Sequence, residues 1–201
     1  MTPKQFIEKF YPYAIESEKK TGIPATATMA QAALESGWGK SAIGNNVFGI
    51  KYKSSDKKYV EVLTTEHSKS PYAFKGAKTK SITYDRKKEI YIYKIWQYFA
   101  DYDSPAEAFK EHSRLLLTDR YKHALRWKYS PVRYLIAIWK AGYATDVNYG
   151  DKMEAMVQSV KKRLPAIVVE ILSEIKSIPL GRIAKEPPIK IKDLKFKKKK
   201  Q

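Results

Sequence analysis

Apolar residues recur at three- and four-residue spacing along most of the chain, except for one central stretch where the period drops to two. Over Pro3 to Lys20, Phe6, Phe10, Tyr13 and Ala14 fall on one helical face, and Gly22 supplies a stop. Pro12 lies inside that segment and should kink it or divide it in two. Pro24 sits at the N1 position of a second helix, whose apolar stripe of Ala25, Met29, Ala32 and Ala33 runs down to Glu35. Gly37 reads as the left-handed residue just past its end.

From Lys58 the alternation changes. In "KYVEVLTTEH", Val60, Val62, Thr64 and Glu66 share one face of a strand, and Tyr59, Glu61, Leu63 and Thr65 share the other. "TKSITY" and "EIYIYKIWQYF" predict two more strands, joined through the polar turn Asp85 to Lys88. Three strands form a small antiparallel sheet that needs support from elsewhere.

Helical spacing then returns. Ser104-Pro105-Ala106-Glu107 predicts a capping box with proline at N1, and Phe109, Leu116 and Leu117 a buried stripe behind it. Ser130-Pro131 opens a helix that stops at Gly142. Asn148 to Leu164 carries Tyr149, Met153, Met156, Val157, Val160 and Leu164 on one face, and Pro165 restarts a shorter piece through Ile175. The expected division is 1–164 for a single catalytic-sized unit and 165–201 for a short helix with a basic tail. The order of helices, a strand lobe, then helices defines the α+β class, with one helical body and one β appendage.

Composition narrows the chemistry. The chain has 201 residues and no cysteine, which leaves no disulfide or thiolate site. Its three histidines lack zinc-site spacing, so neither a metal nor another cofactor is expected. No apolar run is long enough to span a membrane, and "MTPKQFIEKFYPY" lacks the basic region and apolar run of a signal peptide, so none is expected. The net charge is +18, with nine Lys/Arg against two acids between Arg182 and Lys200. That tail suits a solvated end or a contact with anionic cell-envelope polymers; no nucleic-acid motif accompanies it.

Glu35 is the residue that demands an explanation. A helix C-terminus carries a partial negative charge and penalises an ionised carboxylate. Glu35 therefore either points to water or serves as a carboxyl that keeps its proton, as cleavage of a glycosidic bond requires. Other chemistries drop out. "GWGKS" ends like a phosphate-binding loop, but Leu34 stands where its first glycine belongs. No G-x-S-x-G elbow occurs.

"QAALESGWGKS", "GNNVFGIK", "TTE" and "AGYATD" occur in that order, and from Met1 to Leu164 the chain resembles glycoside hydrolase family 73. The resemblance implies a lysozyme-like fold and hydrolysis of the β-1,4 bond after N-acetylglucosamine in peptidoglycan. It implies Glu35 as general acid, Glu66 as the second acidic residue on the strand lobe, and Tyr143 as a tyrosine required near the acid. It also implies that Asn46, Phe48 and Gly49 line the cleft, with Tyr121 in a lesser place. Trp38 is either a sugar-stacking platform or a core plug that desolvates Glu35, the latter being favoured. The stretch between Glu66 and "FADYDSPAEAF" is longer and richer in lysine and tyrosine than the family pattern. The alternatives are muramidase or lytic transglycosylase action on the same polymer, or a non-catalytic basic module that binds glycan or nucleic acid. A wall-acting enzyme without a leader suits a phage lysin or a processed secreted form.

Overall fold

The computed structural model describes residues 1–144 and 146–176, with side chains as far as Leu164. The basic tail between Arg182 and Lys200 lies outside the described residues. Helix α1 spans Pro3–Thr21 and opens on a complete capping box: the Gln5 N–H donates to Thr2 Oγ1, and the Thr2 N–H donates to Gln5 Oε1. The helix stays continuous through Pro12, so of a kink or a division the division does not occur. Phe6, Ile7, Phe10 and Ala14 bury its inner face on both sides of the proline, so packing outweighs one missing backbone bond.

Helix α2, Ala25–Glu35, is the axis of the body. Pro24 is its N-cap rather than its N1 residue, a shift of one position. The helix is buried on more than a stripe, because two clusters meet across it. Ala25, Met29, Ala32 and Ala33 pack with Phe6, Phe10, Phe48 and Phe109, whereas Ala27 and Ala30 pack with Leu135, Ile138, Met153 and Val157. Alanine is the residue that lets neighbours approach from both directions without losing helix propensity.

Helix α3, Pro105–Leu116, has Ser104 as N-cap, but the Glu107 carboxylate accepts from the Asp103 N–H, one residue before the reciprocal partner of a full box. Leu116 is buried and Leu117 is not. A short 3₁₀ turn at Lys122–Trp127, absent from the sequence-based expectation, leads to α4, Pro131–Lys140. Helix α5 is continuous over Tyr149–Lys176, so Pro165 does not start a separate piece.

Strands β1 (Tyr59–Ser68), β2 (Thr79–Asp85) and β3 (Ile90–Ala100) form an antiparallel sheet ordered β1-β3-β2. The alternation predicted for β1 is kept: Val60, Val62, Thr64 and Glu66 lie opposite Phe99, Gln97, Ile95 and Tyr93. The sheet meets the body at Asn46. Its side-chain amide donates to Ile50 O and Ala100 O, each at 2.9 Å, and its Oδ1 accepts from the Ile50 N–H at 3.0 Å. One buried carboxamide thereby fixes both chain crossings between body and lobe.

Candidate active site

Helix α2 ends in a Schellman motif that aims Glu35. The Trp38 N–H donates to Ala33 O at 2.8 Å and the Gly37 N–H to Leu34 O at 3.3 Å. Gly37 takes φ +55°, where a side chain would be strained. Trp38 follows at φ +60°, an uncommon conformation for a bulky residue. Its indole and the Phe6 ring meet edge to face with ring centres 5.7 Å apart, and the Arg163 guanidinium lies 5.5 Å from its ring centre. Trp38 is half-buried and packs on the body core.

Glu35 keeps an exposed side chain, as a group that must reach a substrate requires. The protein around its carboxyl nevertheless raises its pKa by desolvation, and a hydrogen bond from Tyr149 opposes part of that rise. Tyr149 Oη donates to Glu35 Oε1 at 3.5 Å and accepts from Gln31 Nε2 at 3.4 Å. Tyr143 stands beside this pair, with its ring 6.1 Å from that of Tyr149 and 5.9 Å from that of Tyr121. Burial holds the Tyr143 phenol well above its ordinary pKa, and the neighbouring Tyr149 and Glu35 add to the effect. It is a neutral hydrogen-bonding group at any working pH.

Tyr143 is set by the end of α4. Arg120 Nε donates to Ala141 O at 2.6 Å and its Nη2 to Gly142 O at 2.9 Å, pinning the carbonyls of the C-cap and the residue after it. Gly142 has φ +84°, and a Cβ there would overlap the Arg120 guanidinium. Tyr121 is buried behind Tyr143 with the Arg120 guanidinium over its ring.

The residues that sequence grouped together are thus divided by the fold. Glu35, Tyr143 and Tyr121 come together on the body. Glu66 stands apart on β1, half-buried, opposite Tyr93 in the register. Its charge is felt by Lys51, whose ammonium lies 4.1 Å from the Phe99 ring centre; desolvation lowers the Lys51 pKa and Glu66 pulls it back up. Asn46 and Phe48 lie beneath the surface rather than on it. Asn46 spends its amide on the joint, and Phe48 stacks on His112 with ring centres 3.9 Å apart. In this conformation neither side chain is free to meet a sugar. Gly49 lies next to them at φ +61°.

Tyr149 and Gln31 escaped the sequence-based reading, which placed Tyr149 in the core stripe of α5. A signal existed: Gln31 and Glu35 are four residues apart, a pair of long polar side chains on one face of an alanine-rich helix. No group of His, Asp and Glu suited to a metal ion occurs among the described residues.

Known proteins resemble this chain over most of its length. The chain shares 32% identity over 166 residues with peptidoglycan hydrolase FlgJ of Pseudomonas aeruginosa, covering 78% of this chain and 36% of that protein. It shares 31% identity with exo-glucosaminidase LytG of Bacillus subtilis, covering 76% and 50% of the two chains. The chain therefore spans half or less of the length of these curated relatives. The glycoside hydrolase domain of Salmonella typhimurium FlgJ superposes with a TM-score of 0.65 at 27% identity, over 89% of this chain and all of that one. Residues 11–162 match the glucosaminidase family, described as mannosyl-glycoprotein endo-beta-N-acetylglucosaminidase, and the chain belongs to that family.

Proposed function

We propose that this chain hydrolyses the β-1,4 bond on the reducing side of N-acetylglucosamine in bacterial peptidoglycan. The observation that carries the proposal is Glu35: a solvent-reachable carboxyl at the end of a buried helix, held protonated to higher pH by burial, in a chain of the glucosaminidase family. Glu35 gives its proton to the glycosidic oxygen as the bond to the sugar's anomeric carbon breaks. Glu66 takes a proton from the water that attacks that carbon, and the two products separate as a new reducing end and a new free hydroxyl. Tyr143, a neutral phenol beside the acid, hydrogen-bonds the sugar in the cleft. Residues 1–164 act as the catalytic unit.

Anionic envelope polymers are the second partner of this proposal. Residues 51–100 hold twelve Lys/Arg against five Asp/Glu, whereas residues 1–50 hold five against four. Attraction to a polyanion would therefore come from the strand lobe as well as from the tail.

Digestion of purified sacculi followed by borohydride reduction and mass spectrometry of the muropeptides tests the bond cut. Reduced N-acetylglucosamine at the new ends is expected. Reduced muramic acid would make the chain a muramidase, and an anhydro end a transglycosylase. Intact sacculi treated with folded protein would leave only a binding module.

A further inference from the structure

A carboxylic acid that donates its proton must carry it on the oxygen facing the substrate, and a lone glutamate has two equivalent oxygens. Helix α2 resolves the choice with residues that the mechanism above does not use. Gln31 and Glu35 project from one face of the helix, and both reach the Tyr149 hydroxyl on α5. Gln31 is fully buried and Tyr149 almost so. A phenol has one proton to give. With the Gln31 amide N–H directed at its lone pair, that proton goes to Glu35 Oε1. An oxygen that accepts this bond is the carbonyl oxygen of the acid, so the carboxylic proton is left on Oε2.

We propose that Gln31 and Tyr149 are positioning residues which hold the transferable proton of Glu35 on Oε2, toward the glycosidic oxygen. The proposal rests on Glu35 being the acid. Core packing alone does not explain Gln31: its Oε1 is buried without a partner among the described residues, an arrangement that an apolar side chain of similar size would avoid. The amide orientation is tied to this logic. Turned over, Gln31 would draw the Tyr149 proton to itself and leave two buried N–H groups poorly served. The titratable groups facing Glu35 are Tyr149 from α5 and Tyr143 from the turn after α4, with Tyr121 and Tyr134 behind Tyr143. All four are phenols, and burial raises the pKa of Tyr143, Tyr149 and Tyr134 above the ordinary value.

The test is a carbon-13 NMR titration of the full chain carrying labelled glutamate, with Glu35 assigned by the loss of its signal in Glu35→Gln. In Tyr149→Phe the Glu35 midpoint should move to higher pH, because the lost bond favoured the carboxylate. Hydrolysis of sacculi below that midpoint should fall about tenfold or more, the loss expected of a misdirected donor. The alkaline limb of the rate profile should move up with the midpoint, a coupling that a merely structural tyrosine would not produce. Gln31→Met should shift both in the same direction by less, and it carries the test alone if Tyr149→Phe fails to fold. A midpoint that stays put or moves down overturns the proposal, and so does an unchanged rate in the folded variants. Activity surviving in Glu35→Gln would instead remove Glu35 as the acid, a separate failure from that of the titration.

Discussion

The helical body and the strand lobe solve opposite problems within one chain. The body encloses several polar residues, Gln31 and His112 among them, in helices packed on several sides, and its core residues Phe6, Ile7, Phe10, Ala14, Ala25 and Met29 have almost no exposed surface. The lobe is a three-stranded sheet in which only Tyr93, Ile95, Phe99 and Ala100 are buried. Ile82 and Tyr84 on β2 are each 50% exposed. A carboxylate on the body inherits fixed geometry and a low-dielectric surround; one on the lobe has a place in a register but a thin support. The raised acid is on the first and Glu66 on the second, which suits an acid that must be aimed and a partner that can adjust to a polymer.

The sharpest way to break this contrast is to neutralise each carboxylate in turn. Glu35→Gln keeps shape but has no proton to donate, so cleavage of sacculi should fall by about 100-fold or more. Glu66→Gln should also lower the rate if water is the nucleophile, and proton NMR of the first products should show the α-anomer in the wild type, the mark of inversion. An initial β-anomer with Glu66→Gln still active would replace water attack by participation of the substrate's own acetamide. The lobe would then be a wall of the cleft with no share in the chemistry.

The body has its own weak point in acid. His112 on α3 is wholly buried, stacked on Phe48, with neither ring nitrogen hydrogen-bonded among the described residues. Burial lowers its pKa from 6.5 to about 3. Between those values the unfolded chain binds a proton that the folded chain refuses, so stability is full above about pH 6.5 and declines as pH falls toward 3. Urea unfolding across that interval should show a loss of several kcal/mol in the wild type. The loss should be much reduced in His112→Phe, which keeps the stack. An unchanged acid slope in that variant would mean that other groups set it.

Asn46 marks the boundary between the two regions. Asn46→Ala leaves the Ala100 carbonyl without the Asn46 donor and the Ile50 N–H without its acceptor at the crossing, while the Ile50 carbonyl keeps the Ala100 N–H, a loss of roughly 1–3 kcal/mol. Hydrogen exchange should then quicken in the sheet before it quickens in α1 and α2. Uniform quickening would show that lobe and body unfold as one unit.

What sequence reasoning could reach follows the same division. Helices and strands were legible because the body's apolar period and the sheet's alternation are local signals. The start of α1, the Gly37 stop and the face of Glu66 needed nothing beyond residue spacing. Pro12 does not divide α1, because packing on both sides of it outweighs the proline's local penalty. Asn46 and Phe48 were assigned to the cleft through resemblance, whereas tertiary packing turns them into a joint and a core contact. Tyr149 was hidden for the converse reason: its apolar ring fits the helical stripe, and only its hydroxyl, brought to Glu35 by the α2–α5 packing, gives it a second part.

The smallest expected effect concerns charge, and it separates what the lobe adds from what the body does. Arg86, Lys87 and Lys88 form the β2–β3 turn, where Asp85 Oδ1 accepts from the backbone N–H groups of Lys87 and Lys88 and so shapes the turn. None of the three cations has a salt bridge among the described residues, and each is exposed. Replacing all three by glutamine should leave the unfolding free energy within about 0.5 kcal/mol of the wild type, as for other exposed substitutions. Binding to purified walls, measured by co-sedimentation, should weaken a few-fold at low salt. The difference should shrink as salt rises, since exposed charges are screened beyond about 8 Å at physiological ionic strength. Walls stripped of their phosphate polymers should show the smaller difference at every salt concentration. Equal binding by variant and wild type on intact walls at low salt would leave attraction to the wall to other cations of the chain, and the lobe's tip would then be only a solvated turn.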